Sequence, residues 1–380
     1  MAEVSFAKGL EGVIASETGI CKIDGEKGKL YYLGYSIEDL IEHSDFEEVT
    51  YLLLYGELPK AEELEEFRTK MRDSRDVSPA IIEMVRSFPK ESHPMELLQS
   101  AIAYISGYVK HKIHHSATCN CRNTLHQVAQ ITTVVAAWTR FQRGLAYVPP
   151  RRDLSHGANF LYMIRGEVPE PDEGEIMDKT LIMHAEHGFN ASTFTARVVA
   201  SSISTCYSSI SAAIGSLYGS LHGGANEKVL EMIDDIGSPQ KVAAWMDKAV
   251  AEKRKVMGMG HRVYKAMDPR ATIMEQYLIQ LSDKKNDHTD YEILKEVQKE
   301  FRARMEEKGK PLYPNVDFFS GSVYKLLGLP TKIFTPIFAM ARASGWLAHI
   351  LEQRRDNRLY RPKGLYTGSA GRDFVPMDRR

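Results

Sequence analysis

The stretch TPIFAMARASGWLAHILEQR (335–354) predicts one long helix, opened by Thr335-Pro336 and running to about Arg354. Phe338, Arg342, Trp346 and Ile350 recur at four-residue spacing and so share one face of it. Three of these side chains are apolar and belong in a core. A guanidinium among them is too costly to leave unpaired. Arg342 therefore needs either a buried Asp or Glu, or the carboxylate of a ligand held by two parallel hydrogen bonds.

Helical periodicity also dominates on the N-terminal side of this segment. Amphipathic helices are expected over 36–54, 61–72, 78–87, 95–110, 127–144, 159–165 and 175–187, with two more between 192 and 219. Residues 225–236 place Val229, Ile233 and Ile236 on one face, with Gly237 as the stop. A helix capped by Ser238-Pro239 is expected to reach about Met257, and Asp268-Pro269 starts another. The charged tract 283–310 reads as a solvated helix with loops on either side, 320–327 as a short helix, and 111–126 as a polar, exposed loop. The one β signal is a short hairpin, 20–23 with 29–33, around Asp24-Gly25 and Gly28. The fold class is all-α, helix on helix, with a small N-terminal β-hairpin. At 380 residues the chain exceeds one ordinary core, so two domains are expected.

A hydrophobic fraction of 43% against 26% charged residues excludes disorder. The net charge of −1, without a long run of one sign, argues against a nucleic-acid groove as the main activity. MAEVSFAKGLEGV (1–13) has neither the basic start nor the apolar run of a signal peptide, and no window is apolar enough for a membrane span. Four cysteines are too few for a disulfide framework in a chain of this size, so the expected location is the cytoplasm.

Four places could carry chemistry. His222 stands in LHGGA (221–225), directly before a helix. A helix N-terminus disfavours imidazolium, and a neutral His can donate to a developing oxyanion. The alternative is a satisfied loop His beside a tight turn. Gly258-Met259-Gly260-His261 lacks the third glycine and the preceding strand of a dinucleotide fingerprint. It leaves a turn of exposed amides near Lys255, Arg262 and Lys265, suited to phosphate, or else a basic link between helices. Arg270 sits in the first turn of a helix, where a cation meets the positive dipole end. Asp317 is enclosed by Val316, Phe318 and Phe319, neighbours that raise a carboxyl pKa and improve a general base. Its alternative is an N-cap for the helix that follows.

Three other patterns fail. His184-Ala185-Glu186 opens like a zinc deaminase signature, but no Pro-Cys-x-x-Cys follows. Ser322 and Lys325 fit Ser-x-x-Lys without the companion motifs of that chemistry. His111, His114, His115, Cys119 and Cys121 could hold a soft metal, yet their spacing fits no standard finger.

LHGGANE (221–227), MGHRVYKAMDPR (259–270) and YPNVDFFSG (313–321) together resemble the citrate synthase family. The similarity continues through KGLEGV (8–13), IDGEKGKLYYLGYSIEDL (23–40), LSHGANFLYM (154–163), HAEHGFNASTFTARV (184–198) and RPKGLYTG (361–368), almost the whole chain. It implies an enzyme that joins the acetyl group of acetyl-CoA to oxaloacetate and hydrolyses the thioester, with no metal or redox cofactor. By position, it makes Asp317 the base, His222 the enol-stabilising donor and His261 the group polarising the 2-oxo carbonyl. It assigns His187, Arg270, Arg342 and Arg361 to the oxo acid, with Arg361 crossing from the second subunit of a homodimer. Coenzyme A is expected at Lys255, Met257, Gly258, Lys265 and Lys310. A large domain of 1–224 and 326–380 and a small domain of 225–325 are implied as well.

Two departures stand out: Ser220 replaces the family's usual Pro, and 111–126 matches nothing in it. The chain lacks the longer N-terminal extension of hexameric members, so a dimer is expected. A 2-methylcitrate synthase using propionyl-CoA is the nearest alternative, since one methylene gives weak discrimination. A zinc-dependent hydrolase built on the His/Cys segment and an inactive helical scaffold are the remote ones.

Overall fold

The computed structural model describes residues 6–109, 122–261, 263–306, 309 and 312–380. Arg262, Lys310 and the candidate metal ligands between His111 and Cys121 lie outside the described residues. Sixteen α-helices and one three-stranded antiparallel sheet form the regular structure of the described residues, apart from short 3-10 turns. The all-α reading is the fold observed.

The sheet comprises β1 (Cys21–Asp24), β2 (Lys29–Tyr32) and β3 (Tyr35–Ser36). The first two pair as expected, with Cys21 opposite Tyr32 and Asp24 opposite Lys29, and the third is an addition to the hairpin. Tyr32 is fully buried, and its hydroxyl donates to the Ile182 and Glu186 carbonyls at 3.1 and 2.9 Å. The hairpin is thereby fastened to the segment that carries His187.

The expected helix over 36–54 is in fact two, α1 (Ile37–His43) and α2 (Phe46–Tyr55). Asp45 accepts the Glu48 N–H at 2.8 Å and caps α2, a local break that leaves the hydrophobic period undisturbed. α3 (Ala61–Asp73) and α4 (Pro79–Ser87) follow where periodicity puts them, and α5 (Pro94–Ser106) starts there but stops at Gly107, short of the expected 110. α6 (Arg122–Gln142) begins earlier than expected, so 122–126 is helical rather than loop. After α7 (His156–Arg165) come α8 (Pro171–Ala185), α9 (Ala191–Ser201), α10 (Cys206–Tyr218) and α11 (Ala225–Ile236).

The expected helix from Ser238-Pro239 to Met257 is corrected twice. Ser238 makes no side-chain cap, and a 3-10 turn precedes α12 (Val242–Ala251). The helix then stops well short of Met257, and Lys253 takes a φ of 54°. α13 (Pro269–Lys285) starts at Asp268-Pro269 as read, with Asp268 as its cap. α14 (Thr289–Glu306) is amphipathic rather than solvated all round, with Ile293, Leu294, Val297 and Phe301 buried. α15 (Asp317–Leu326) begins three residues before the expected start, at Asp317 itself.

α16 (Phe334–Arg355) runs through the middle and is buried over almost its whole length. A helix enclosed on all sides needs apolar or small residues all round, and this one has them. α2, α5, α6, α8, α9 and α10 pack against it. Gly345 lets it touch the end of α8, because a Cβ there would lie 2.2 Å from the Ala185 carbonyl oxygen. That close approach sets the residues just after α8 beside Arg342.

Candidate active site

One cavity of about 510 Å³ is lined by His187, His222, His261, Arg270, Asp317 and Arg342 together. They come from the end of α8, the turn before α11, the loop before α13, and helices α13, α15 and α16. No local pattern joins them; packing does.

His222 sits in a turn closed by its own N–H on the Gly219 carbonyl at 2.8 Å. Its Nε2 takes the Ser192 backbone N–H at 3.2 Å and lies 2.8 Å from the Ser192 hydroxyl. An amide N–H can only donate, so Nε2 is an acceptor and the ring proton belongs on Nδ1. Burial, with the Arg342 charge adding to it, lowers the pKa to about 4. The ring is neutral at physiological pH, chiefly through burial rather than the helix end invoked from sequence.

His261 is fixed in the opposite sense. Its Nδ1 accepts the N–H groups of Val263 and Tyr264 at 3.0 and 3.2 Å, which leaves the proton on Nε2. Burial and then Arg270 lower its pKa to about 4. His187 meets the Tyr264 hydroxyl through Nε2 at 3.2 Å, and burial holds its pKa well below the usual value. The His187 and His261 rings stand edge to face with centroids 5.2 Å apart. Three neutral imidazoles therefore surround the cavity, two with one identified N–H each.

Asp317 is the first residue of α15 and caps nothing, which removes the N-cap alternative. Its carboxyl takes no hydrogen bond among the described residues. Burial raises its pKa to about 6, against an opposing pull from Arg270. A carboxylate so placed is ionised at neutral pH yet far more basic than a solvated one.

Arg342 is buried, with Nε donating to the His184 carbonyl at 2.7 Å and the guanidinium 4.7 Å from the Phe338 ring centroid. No carboxylate among the described residues lies within ion-pair distance of it. Burial lowers its pKa, and the charge of Glu186 opposes this. Of the two outcomes left open by the sequence, the one with a free face toward the cavity is found. Arg270 differs, because Asp268 takes its Nε and Nη2 at 3.0 and 2.7 Å. Asp268 thereby explains a cation at a helix start, and also accepts the Val316 N–H at 3.3 Å.

The remaining candidates lie elsewhere. Lys255 is exposed, and Lys265 is exposed and paired with Glu26, while Met257 and Gly258 are partly or fully enclosed; none lines the cavity. Arg361 is exposed on the C-terminal tail, away from its own chain's cavity. Sequence reasoning did not single out Ser192, Tyr264 or Asn315. Each acts on its partner through a single hydroxyl or amide placed by the fold, and nothing in its local spacing marks it.

Comparisons with known proteins point to one family. The family model described as "Citrate synthase, C-terminal domain" matches residues 9–363. The citrate synthase of Acidithiobacillus ferridurans is 44% identical over 389 residues, covering 100% of both chains. A 2-methylcitrate synthase of Corynebacterium glutamicum is 41% identical over 379 residues, covering 98% of this chain and 97% of its own. The citrate synthase of Thermoplasma acidophilum, solved as a ternary complex with carboxymethyl coenzyme A and oxaloacetate, superposes with a TM-score of 0.92 at 34% identity, covering 99% of this chain and 100% of the other.

Proposed function

The chain belongs to the citrate synthase family, and from that premise we propose that it condenses the acetyl group of acetyl-CoA with oxaloacetate and hydrolyses the thioester to citrate and free coenzyme A. The observation that carries this reading is the cavity that unites Asp317 and His222 with His261 and Arg342. Asp317 takes a proton from the acetyl carbon while the His222 Nδ1–H holds the developing enol oxygen. The enol carbon attacks the 2-oxo carbonyl of oxaloacetate, whose oxygen is held by the His261 Nε2–H. Arg342, with His187 beside it, grips a carboxylate, and the outer edge of the Arg270–Asp268 pair assists. Water then cleaves the thioester of the condensed product. Citrate synthase chemistry needs no metal or redox cofactor.

The division into a large domain (1–224 and 326–380) and a small one (225–325) fits this sequence of steps. α11, α13, α14 and α15 pack on one another, so the segment carrying His261 and Asp317 can close as a unit and exclude water. The lysines around the 255–265 loop are offered to the phosphates of coenzyme A. No helix among the described residues is long and apolar enough to cross a membrane, and we place the enzyme in the cytoplasm.

A homodimer completes the site. The tail beyond α16 exposes Leu359, Leu365, Tyr366, Phe374 and Met377 at 56–82%, an apolar array that a second subunit would cover. On this reading Arg361 reaches the partner's oxo acid. Arg361→Ala and Asp317→Asn should each be nearly inactive as homodimers. Refolded together at equal amounts, they should recover about a quarter of wild-type activity, because half the dimers are mixed and one of their two sites is intact. No recovery from demonstrated heterodimers would place Arg361 outside the partner's site.

The Corynebacterium relative favours a second reading, 2-methylcitrate synthesis from propionyl-CoA. Coenzyme A release with oxaloacetate, followed for both thioesters, decides between them. Turnover of both is expected, with kcat/KM favouring acetyl-CoA by about 10- to 200-fold, the worth of one methylene. A preference for propionyl-CoA would reverse the assignment.

A further inference from the structure

His261 and Asp317 must stay in register for condensation, yet they stand on a loop and on a helix start that are far apart in the chain. We propose that Asn315 is a positioning residue that fixes His261 and Asp317 relative to each other through the two ends of its side-chain amide. The inference rests on the functional reading above and deepens it.

The Asn315 Nδ2 donates to the Gly260 carbonyl at 2.8 Å, and its Oδ1 accepts the Asp317 N–H at 2.9 Å. Only one orientation of the amide serves both partners, since the N–H needs an acceptor and the carbonyl a donor. The peptide held at one end is the Gly260–His261 peptide. The N–H held at the other belongs to the base itself. Displacing either end moves a reacting group.

The surrounding backbone extends the same link. The Asn315 N–H donates to the Gly258 carbonyl at 2.9 Å, and the Gly260 N–H donates to the Tyr313 carbonyl at 2.8 Å. The loop needs such support. Gly258 and Gly260 adopt φ of 74° and 86°, and a Cβ on Gly258 would lie 2.7 Å from the Phe318 Cα. Beyond a single antiparallel bridge, Met259 with Pro314, the segment has no helix or longer ladder to stiffen it, and glycines widen its choice of conformations. An Asn two residues before a helix is often just a turn residue whose Oδ1 caps a backbone N–H. Such a role has no use for the Nδ2 bond to Gly260. That second arm, together with a place on the cavity wall, separates a positioning role from ordinary capping.

The arms can be tested separately. Asn315→Asp keeps the Oδ1 acceptor for Asp317 and loses the donor to Gly260, while Asn315→Ala loses both. Two rates are measured at pH 8 on the intact enzyme, with wild-type turnover as the control on the functional reading itself. One is coenzyme A release from acetyl-CoA and oxaloacetate. The other is exchange of acetyl-CoA methyl protons with deuterated water in the presence of malate, which lacks the 2-oxo carbonyl and so tests Asp317 and His222 without His261. For Asn315→Asp, condensation should fall about 100-fold while exchange stays within about fivefold, as expected for a misplaced electrophile beside a working base. For Asn315→Ala both rates should fall. Condensation within about fivefold of wild type in Asn315→Asp would overturn the proposal, and so would an equal loss of both rates in that near-isosteric variant.

Discussion

Asp317→Asn is expected to abolish coenzyme A release while oxaloacetate still binds. Among the described residues it is the only carboxylate on the cavity wall, and the neutral imidazoles beside it are weaker bases, with the pKa values of His222 and His261 held at about 4. Loss of a general base removes a factor of about 100 to 10,000. Activity within tenfold of wild type would sink the assignment. In the wild-type enzyme, kcat/KM should rise with pH as Asp317 ionises, with its midpoint at about 6.

The same substitution should stabilise the protein at neutral pH. The Asp317 pKa rises on folding from 3.8 to about 6, so the folded state binds the proton more tightly. Its contribution is favourable below about 4 and is lost as pH climbs to about 6, which leaves a half-buried charge unfavourable at pH 7 by up to roughly 3 kcal/mol. Asn carries no such charge. Asp317→Asn should therefore melt at a higher temperature than wild type at pH 7.5, and the difference should close toward pH 4. An equal melting temperature at both pH values would contradict the burial of an ionised base.

Arg342→Leu is expected to weaken oxaloacetate binding by about 30- to 1,000-fold, equivalent to roughly 2–4 kcal/mol, with little change in melting temperature. The structure explains why the fold should survive. No carboxylate among the described residues is paired to this guanidinium, and Glu186, the carboxylate whose charge bears most on it, holds the Gly188 N–H at 2.5 Å and His349 Nε2 at 3.0 Å through its Oε1. The His184 carbonyl loses one donor, a modest penalty of about 1–3 kcal/mol. Calorimetric titration with oxaloacetate and a thermal melt together distinguish the roles. A large drop in melting temperature with affinity unchanged would make Arg342 a structural residue.

Much of the molecule was legible without coordinates. The 3.6-residue period located helices α3, α4 and α11 almost to the residue, because each has one apolar face and an ordinary stop. The breaks were harder. Asp45 splits one periodic run into α1 and α2 by a single cap, and α12 ends at Ala251, just before the charged run Glu252–Lys255 in which Lys253 takes a φ of 54°. A cap is one hydrogen bond, and it leaves no trace in a hydrophobic pattern.

The motifs named Asp317, His222, His261 and Arg342, and those four share one cavity. Residue type and spacing marked them only as candidates, each with a structural alternative, and the resemblance of the motifs to the citrate synthase family supplied their roles. The sequence alone also left the partner of Arg342 and the capping of Asp317 undecided. Tertiary packing resolved both, since only distance shows that no carboxylate reaches the guanidinium and that Asp317 holds no cap. The tautomers of His222 and His261, the Asp268 pair that keeps Arg270 at a helix start, and the Asn315 link between loop and helix were likewise decided by the fold. The His222 and Asn315 contacts join segments that are 30 and 55 residues apart, and local periodicity carries no information about which distant segments meet. The His261 and Arg270 bonds are local, but they turn on backbone and rotamer geometry that a hydrophobic pattern does not record.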